Sequence, residues 1–335
     1  MLFCISLPPD KITAMITTSF HGMKPFAQLM FALFVMVASV FFFMFVGLLV
    51  AIPFYGLENL MSIMTPEGLN SPDNLNFLKY FQVVQSVGLF VVPPFILGLL
   101  YHENIGEFLR INRSTRSRSF ILAAVCLFIV IPFINFLGDV NGQMKFPESF
   151  SGLENWMKSM EESAEIMVEK FMKVESISGL IFNIFMIAIL PAIGEELLSR
   201  GVIQRIFTNW TKNYHWGIWI AAFLFSAMHM QFYGFLPRMV LGAMFGYLLV
   251  WTGTMWVSVL AHFVNNTIGV LSYYFIDKGV VSKEVEEWGT GSEQFPLALL
   301  SFVFAVLLLY LIYRGELNKT KMPMSQVDSQ ASRID

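Results

Sequence analysis

The stretch from Ser178 to Phe207, "SGLIFNIFMIAILPAIGEELLSRGVIQRIF", decides the fold. No residue from Ser178 to Ile193 carries a charge, and at ~1.5 Å per helical residue the whole stretch can cross a hydrocarbon core of ~30 Å. Glu195 and Glu196 then stand side by side where the apolar run ends. A charged side chain at mid-bilayer costs at least ~2.5–3.5 kcal/mol, so ionisable residues in such segments face a polar interior and mark a site of function. The stretch reads as a membrane helix that carries an acidic site.

Composition agrees. Hydrophobic residues make up 56% of the chain and charged residues only 13%, with a mean hydropathy of +0.63, whereas about a quarter of the residues in soluble domains are charged. The expected fold class is all-α and polytopic, a single integral membrane domain over residues 1–335, with the lipid bilayer as its surroundings. A net charge of −3 and no basic stripe argue against nucleic acid as a partner. Cys4 and Cys126 form neither a disulfide framework nor a C-x-x-C pair. The first apolar run exceeds the ~7–15-residue core of a signal peptide and reads as a retained anchor.

Eight segments approach the ~20 apolar residues a spanning helix needs: about Phe26 to Phe54, Tyr80 to Tyr101, Phe120 to Leu137, Ser178 to Phe207, Trp216 to Phe232, Leu236 to Trp251, Met255 to Ile276 and Phe295 to Tyr313. With the N-terminus inside, 13 of the 21 Lys and Arg fall on inner pieces, among them Arg110, Arg113, Arg116 and Arg118 in one short loop. The positive-inside bias therefore favours both termini in the cytoplasm of a multi-pass inner-membrane protein, of bacterial type. Pro93-Pro94 should kink or break the second span, and Gly242 with Gly246 forms a small-xxx-small pair suited to close helix approach. In the outer loop 138–177, Leu153, Met157, Met160, Ala164, Met167 and Phe171 recur at spacings of four and three, an amphipathic helix. Such a helix rests its apolar face on the membrane or on the bundle; a lid touching substrate is the sharper alternative. The tail 315–335 reads as polar and disordered.

Three polar groupings interrupt the last five spans. Glu196 and Arg200 are four apart, share a helix face and stand in the favourable acid-before-base order. Glu195 points about 100° away and has no partner in its own helix, which leaves it free to act as a general base. Phe225 lies four residues before His229 on an otherwise apolar helix. His262 and Asn266, with Asn265 beside them, again share a face and bring an imidazole and an amide toward one point, the arrangement of an oxyanion hole. Singly, each has a bland reading: a packed histidine, an interhelical clamp, hydrogen-bond glue. Together, two Glu, two His and an Asn on three segments point to water activated against a peptide carbonyl within the membrane. Helix rise alone puts His229 about 20 Å along its span and His262 about 10 Å along its own from the same side, so Glu195 can meet both only if helices are tilted or displaced.

In order and spacing, Glu195-Glu196-x-x-x-Arg200, Phe225-x-x-x-His229 and His262-x-x-x-Asn266 resemble the signatures of the CPBP family, the CaaX protease and bacteriocin-processing membrane proteins also called Abi. The likeness covers about Ile181 to Ile276, within a catalytic core expected over residues 178–276. It implies an eight-helix intramembrane endopeptidase of glutamate type with a four-helix catalytic core and no catalytic metal. In such enzymes Glu195 and His229 would activate the water and His262 and Asn266 would form the oxyanion hole, with Glu196, Arg200 and Phe225 in support. The implied partner is a membrane-associated peptide substrate. A zinc protease is the rival within enzymes, since two His and two Glu resemble zinc ligands, although no H-E-x-x-H is present. Ser199 and Ser226 lack the Gly-flanked elbow of a serine hydrolase. Outside enzymes, a membrane immunity or scaffold protein is the alternative, and no repeats suggest a transporter.

Overall fold

The computed structural model describes residues 22–320, apart from 64, 66, 67, 69 and 70, together with residue 20. Cys4 and residues 321–335 lie outside the described residues. Every regular element among the described residues is helical: α1 (Pro25–Tyr55), α2 (Leu57–Ile63), α3 (Leu75–Tyr101), α4 (Ile105–Phe108), α5 (Ser117–Ile129), α6 (Ile131–Gly142), α7 (Ser151–Met172), α8 (Ile177–Thr211), α9 (Tyr214–Ala227), α10 (Phe235–Thr252), α11 (Met255–Asp277) and α12 (Phe295–Thr320), with short 3-10 turns between some of them. Six of these, α1, α3, α8, α10, α11 and α12, are long and apolar enough to cross a membrane, and the pair α5 and α6, bent by 47°, makes a seventh if counted as one span. The protein is a multi-pass membrane protein.

The expected count of eight is not reached, because the segment Trp216 to Phe232 is not one helix. Its helix, α9, has 14 residues and ends at Ala227, a rise of only about 21 Å. Beyond it, Met230 adopts a left-handed backbone with φ of 55°, and a turn leads into α10. The polar tail also begins later than expected. Residues 315–320 continue α12, where buried Glu316 accepts hydrogen bonds from Thr115, in the loop before α5, and from Ser119 of α5.

Helix α8 runs through the centre, packed on α1, α3, α9 and α11. Two π turns interrupt it, at Ile184–Ile189 and at Leu197–Ile203. The first follows from Pro191, which has no N–H to offer the Ile187 carbonyl one turn earlier; the Asn266 side chain donates to that carbonyl instead, at 3.1 Å. Pro93-Pro94 acts in the same way on α3. The helix continues, and the disruption is taken up by a π turn at Val87–Val91 directly before it. Gly194 makes room for that turn, since a Cβ there would come within 2.9 Å of Phe90 Cβ.

Gly242 and Gly246 form the close contact their spacing suggests. A Cβ on Gly246 would lie 2.6 Å from Gln204 Oε1 and 2.9 Å from Ile218 Cγ2, so the bare backbone lets α10 sit against α8 and α9. Gly246→Leu is expected to destabilise the bundle by about 1–3 kcal/mol, the usual range for overpacking. Gly269→Leu, where a Cβ meets nothing within 4 Å, should leave the thermal unfolding midpoint in detergent unchanged.

The amphipathic segment forms α7. Met157 and Phe171 are buried and Met160, Ala164 and Met167 partly so, while Leu153 is exposed and Glu161 turns inward. Its far end is tied down by Asn183 of α8. The Asn183 amide donates to the carbonyls of Phe171 and Met172, and its oxygen accepts from the buried Lys79 ammonium at 2.9 Å. A donor and a cation at the C-terminal end of a helix satisfy its free carbonyls and oppose its dipole.

Candidate active site

Glu196 is fully buried and its Oε1 is shared by two partners. Arg200 Nη1 lies 2.8 Å away and His262 Nδ1 2.9 Å away. Arg200 is buried too. Its Nη2 donates to the Gly242 carbonyl at 2.9 Å, Nη1 also donates to Ser199 Oγ, and the guanidinium lies 4.5 Å from the Phe225 ring centroid and 5.5 Å from that of Phe245. Cation–π contacts gain strength where the cation is desolvated. The expected separation of the two acids holds: Glu196 is committed to partners inside the bundle, and Glu195 faces a cavity.

That cavity has a volume of about 580 Å³ and is lined by Glu195, His229, His262, Asn265 and Asn266, together with Arg238 and Gln231. Glu195 Oε2 lies 3.9 Å from His229 Nε2 and 4.0 Å from His262 Nε2. Sequence numbers 195, 229 and 262 are thus brought to one point. The difference in depth that helix rise alone suggests does not keep them apart, and His229 lies in the turn after α9 and not within a spanning helix.

Hydrogen bonds set the histidine tautomers. His229 Nδ1 is 2.8 Å from the Phe225 carbonyl, which can only accept, so Nδ1 carries the proton and the Nε2 lone pair faces Glu195 in the neutral ring. Phe225 therefore contributes its carbonyl as well as its ring, whose centroid lies 5.0 Å from that of His229 and 5.9 Å from that of His262. On His262, Nδ1–H donates to Glu196 and Nε2 points to Glu195. Asn266 spends one amide N–H on Ile187 and accepts from Asn265 at 3.2 Å, which leaves its other N–H for the cavity.

The turn carrying His229 is held from three sides. Asn141 of α6 donates to the Phe232 carbonyl and accepts from Leu236 N–H, Ser226 Oγ donates to the Phe235 carbonyl, and Glu161 of α7 accepts from Tyr233 N–H at 3.1 Å. The Trp156 ring packs on Phe232, centroids 5.6 Å apart. Helix α7 also supplies Ala164, Met167, Val168 and Phe171 to the cavity wall. Its apolar face thus rests on the bundle and bounds the site.

Sequence alone does not single out Phe245, Arg238 or Gln231. Phe245 stacks on His262 with 5.3 Å between centroids and 19° between planes. A signal was present: Arg238, Gly242, Phe245 and Gly246 fall at i, i+4, i+7 and i+8, one face of α10, so the small-residue stripe already marked the side that meets the site. Among the described residues, no group of three or more His, Cys, Asp or Glu is placed to hold a metal ion.

With this geometry in view, comparison with known proteins is informative. Residues 177–268 match the family described as type II CAAX prenyl endopeptidase Rce1-like. The matched segment holds Glu195, Glu196, Arg200, Phe225, His229, His262 and Asn266. Two curated relatives are similar to part of the chain. The uncharacterized protein YpbD of Bacillus subtilis (strain 168) is 29% identical over 90 residues, covering 26% of this chain and 43% of that protein. An uncharacterized 24.3 kDa protein of Escherichia coli is 28% identical over 121 residues, covering 34% of this chain and 54% of that protein. The chain spans about half the length of the curated relatives it matches. No solved structure matches it.

Proposed function

We propose that the protein is an intramembrane endopeptidase that hydrolyses a peptide bond of a membrane-associated peptide or protein, with Glu195 as the base that activates water. The observation that carries this reading is the convergence of Glu195 Oε2 with two imidazole nitrogens at 3.9 and 4.0 Å. These separations are too long for direct hydrogen bonds and suit one water seated among the three groups.

Glu195 takes a proton from the water as its oxygen attacks the carbonyl carbon, and the His229 Nε2 lone pair accepts the water's other hydrogen as a hydrogen bond. The tetrahedral oxyanion receives the free Asn266 N–H and the His262 Nε2–H. Donation from Nε2 calls for the protonated ring, with Glu196 as its counter-charge on the Nδ1 side, much as a buried carboxylate supports the histidine of a hydrolase triad. Glu195 then returns the proton to the leaving nitrogen as the C–N bond breaks, giving a carboxylic acid and an amine.

The reaction uses no metal in this scheme. Ligand atoms of tetrahedral zinc at ~2.0–2.2 Å stand ~3.3–3.6 Å apart, closer than the nitrogens and oxygen here, and Glu196 is already engaged by Arg200 and His262. Residence in a bacterial inner membrane with both termini in the cytoplasm accords with the distribution of Lys and Arg and with the bacterial relatives.

The test is cleavage of lipid-anchored peptides in proteoliposomes by the wild type and by His229→Ala and His262→Ala. Both variants should lose at least ~10²-fold in rate, and EDTA or 1,10-phenanthroline should leave wild-type activity intact. Loss with chelator that zinc restores would establish the metal reading. A cellular phenotype retained by both variants would establish a non-catalytic scaffold.

A further inference from the structure

A second cavity, of about 340 Å³, lies between the loop after α4, the last turns of α8 and the turn from α10 to α11, and it shares no lining residue with the catalytic one. Three arginines line it, Arg110 and Arg113 from the loop and Arg205 from α8. They are near enough for their charges to act on one another. Among the described residues, no carboxylate is within ion-pair distance of any of the three, and Glu107 is the one carboxylate on the wall. Arg200 borders the cavity too, but its guanidinium is spent on Glu196, Ser199 and the Gly242 carbonyl. The cavity therefore keeps an excess of positive charge.

The backbone that presents these arginines is pinned. Met255 N–H, the Trp256 indole N–H and the Thr254 hydroxyl donate to the carbonyls of Arg110, Ile111 and Arg113, at 3.1, 2.8 and 2.6 Å. Arg205 Nη1 donates to the Phe108 carbonyl at 2.8 Å and its guanidinium lies 4.4 Å from the Phe108 ring centroid, which leaves others of its five N–H donors for the cavity. Arg110 has a φ of 56°. Its N–H bonds to the Glu107 carbonyl and the Ile111 N–H to the Gly106 carbonyl, so Arg110 fills the left-handed position of a Schellman end to α4. Glycine is the usual residue there, because an L side chain is strained in that region. An arginine where the backbone favours glycine, beside two more that have no counter-charge in contact, points to work for its side chain.

The surroundings indicate what meets it. Trp210, Trp216 and Trp256 adjoin lining residues in the sequence and are exposed, and tryptophans of membrane proteins gather at the level of the lipid headgroups. Basic pockets between membrane helices at that level take the headgroups of anionic lipids, and the planar fork of arginine matches phosphate oxygens. At ~30 Å³ per water the cavity holds roughly ten waters, room for a phosphate and part of its ester. We propose that Arg110, Arg113 and Arg205 form a binding site for a phosphate group, carried by an anionic lipid or by a soluble phosphate compound. The site stands apart from the catalytic cavity and does not depend on the proteolytic reading.

The experiment follows the thermal unfolding midpoint of the full chain in detergent micelles containing phosphatidylcholine. Phosphatidylglycerol is titrated in one arm, and inorganic phosphate in the other, with chloride at equal ionic strength as its control. A ligand that binds only the folded state raises the midpoint as its concentration passes Kd. A wild-type rise with phosphatidylglycerol alone assigns the site to a lipid, a rise with inorganic phosphate alone assigns it to a soluble compound, and a rise with both shows that the phosphate itself is recognised. Arg110→Gly and Arg205→Gln should each need about tenfold more of the same probe, the size of one lost charged hydrogen bond.

Arg110→Gly is the informative variant. It removes the side chain and relieves the backbone, so without probe it should unfold no earlier than the wild type, and a weakened response then reports the site and not a damaged fold. Arg118→Gln alters an exposed arginine of α5 that does not line the cavity, and it should respond as the wild type does. The proposal is overturned if the wild type responds to neither probe, if Arg110→Gly and Arg205→Gln respond like the wild type, or if Arg118→Gln weakens the response as much as they do. That last result would show a diffuse attraction of anions to a basic face.

Discussion

Glu195→Gln is expected to reduce peptide hydrolysis in proteoliposomes by at least ~10²–10⁴-fold, the range general-base catalysis contributes, while the protein still accumulates and unfolds cooperatively. The amide has the same shape and can still hydrogen-bond, but it cannot take the proton that leaves water as the C–O bond forms. The fold should tolerate the change well. The Glu195 carboxylate lies 3.9 and 4.0 Å from the two histidine nitrogens, beyond direct hydrogen bonding, and removing its charge also removes repulsion with Glu196 in a poorly solvated site. A thermal midpoint equal to or above that of the wild type, together with lost activity, is the signature of a site held at some expense of stability. His229→Ala should differ in kind. It frees the Phe225 carbonyl from its Nδ1–H donor, so it should lose stability as well as rate. Wild-type turnover in Glu195→Gln would end the glutamate mechanism outright.

The parts of this site that were legible in the sequence are those determined within one helix. Glu196 and Arg200 lie one turn apart, and so do His262 and Asn266; the i, i+4 rule places each of these pairs on one face whatever the tertiary arrangement, whereas His229, four residues after Phe225, lies in the turn past the end of α9. Helical class and most spans followed from apolar length in the same way. Residues whose role depends on a second segment were not legible. Arg238 reads as an outer-loop charge until the turn after α9 brings it to the cavity wall, and Phe245 reads as one more lipid-facing or core phenylalanine until α10 lays it on His262. The segment Trp216 to Phe232 misled because hydropathy does not register backbone direction: Phe232 and Phe235 continue the apolar character past a turn that Met230 makes in the left-handed region. Helix α7 was recognised by its periodicity, but its position beside the site required the bonds of Asn183 and Glu161, which join residues distant in sequence.

Arg200→Met should be the most damaging substitution for the fold, costing about 3–5 kcal/mol, the usual penalty when one member of a buried ion pair is removed. Glu196 would remain fully buried with His262 alone to meet its charge, and the Gly242 carbonyl would lose the donor that ties α10 to α8. Glu196→Gln should cost less, because the amide oxygen can still accept from His262 Nδ1 and from Arg200. The double variant tests whether these losses share one origin. If Glu196→Gln relieves the uncompensated charge, Arg200→Met/Glu196→Gln should unfold at a higher temperature than Arg200→Met, a coupling of 0.5–3 kcal/mol by the usual range for contacting residues. Activity should not follow stability. Both Arg200 and His262 use the same oxygen, Glu196 Oε1, so this atom serves the bundle and the His262 imidazole at once. Restoring stability with Glu196→Gln leaves His262 without its counter-charge, and the double variant should stay slow. A double variant as active as wild type would show that Glu196 braces the helices and contributes nothing through His262.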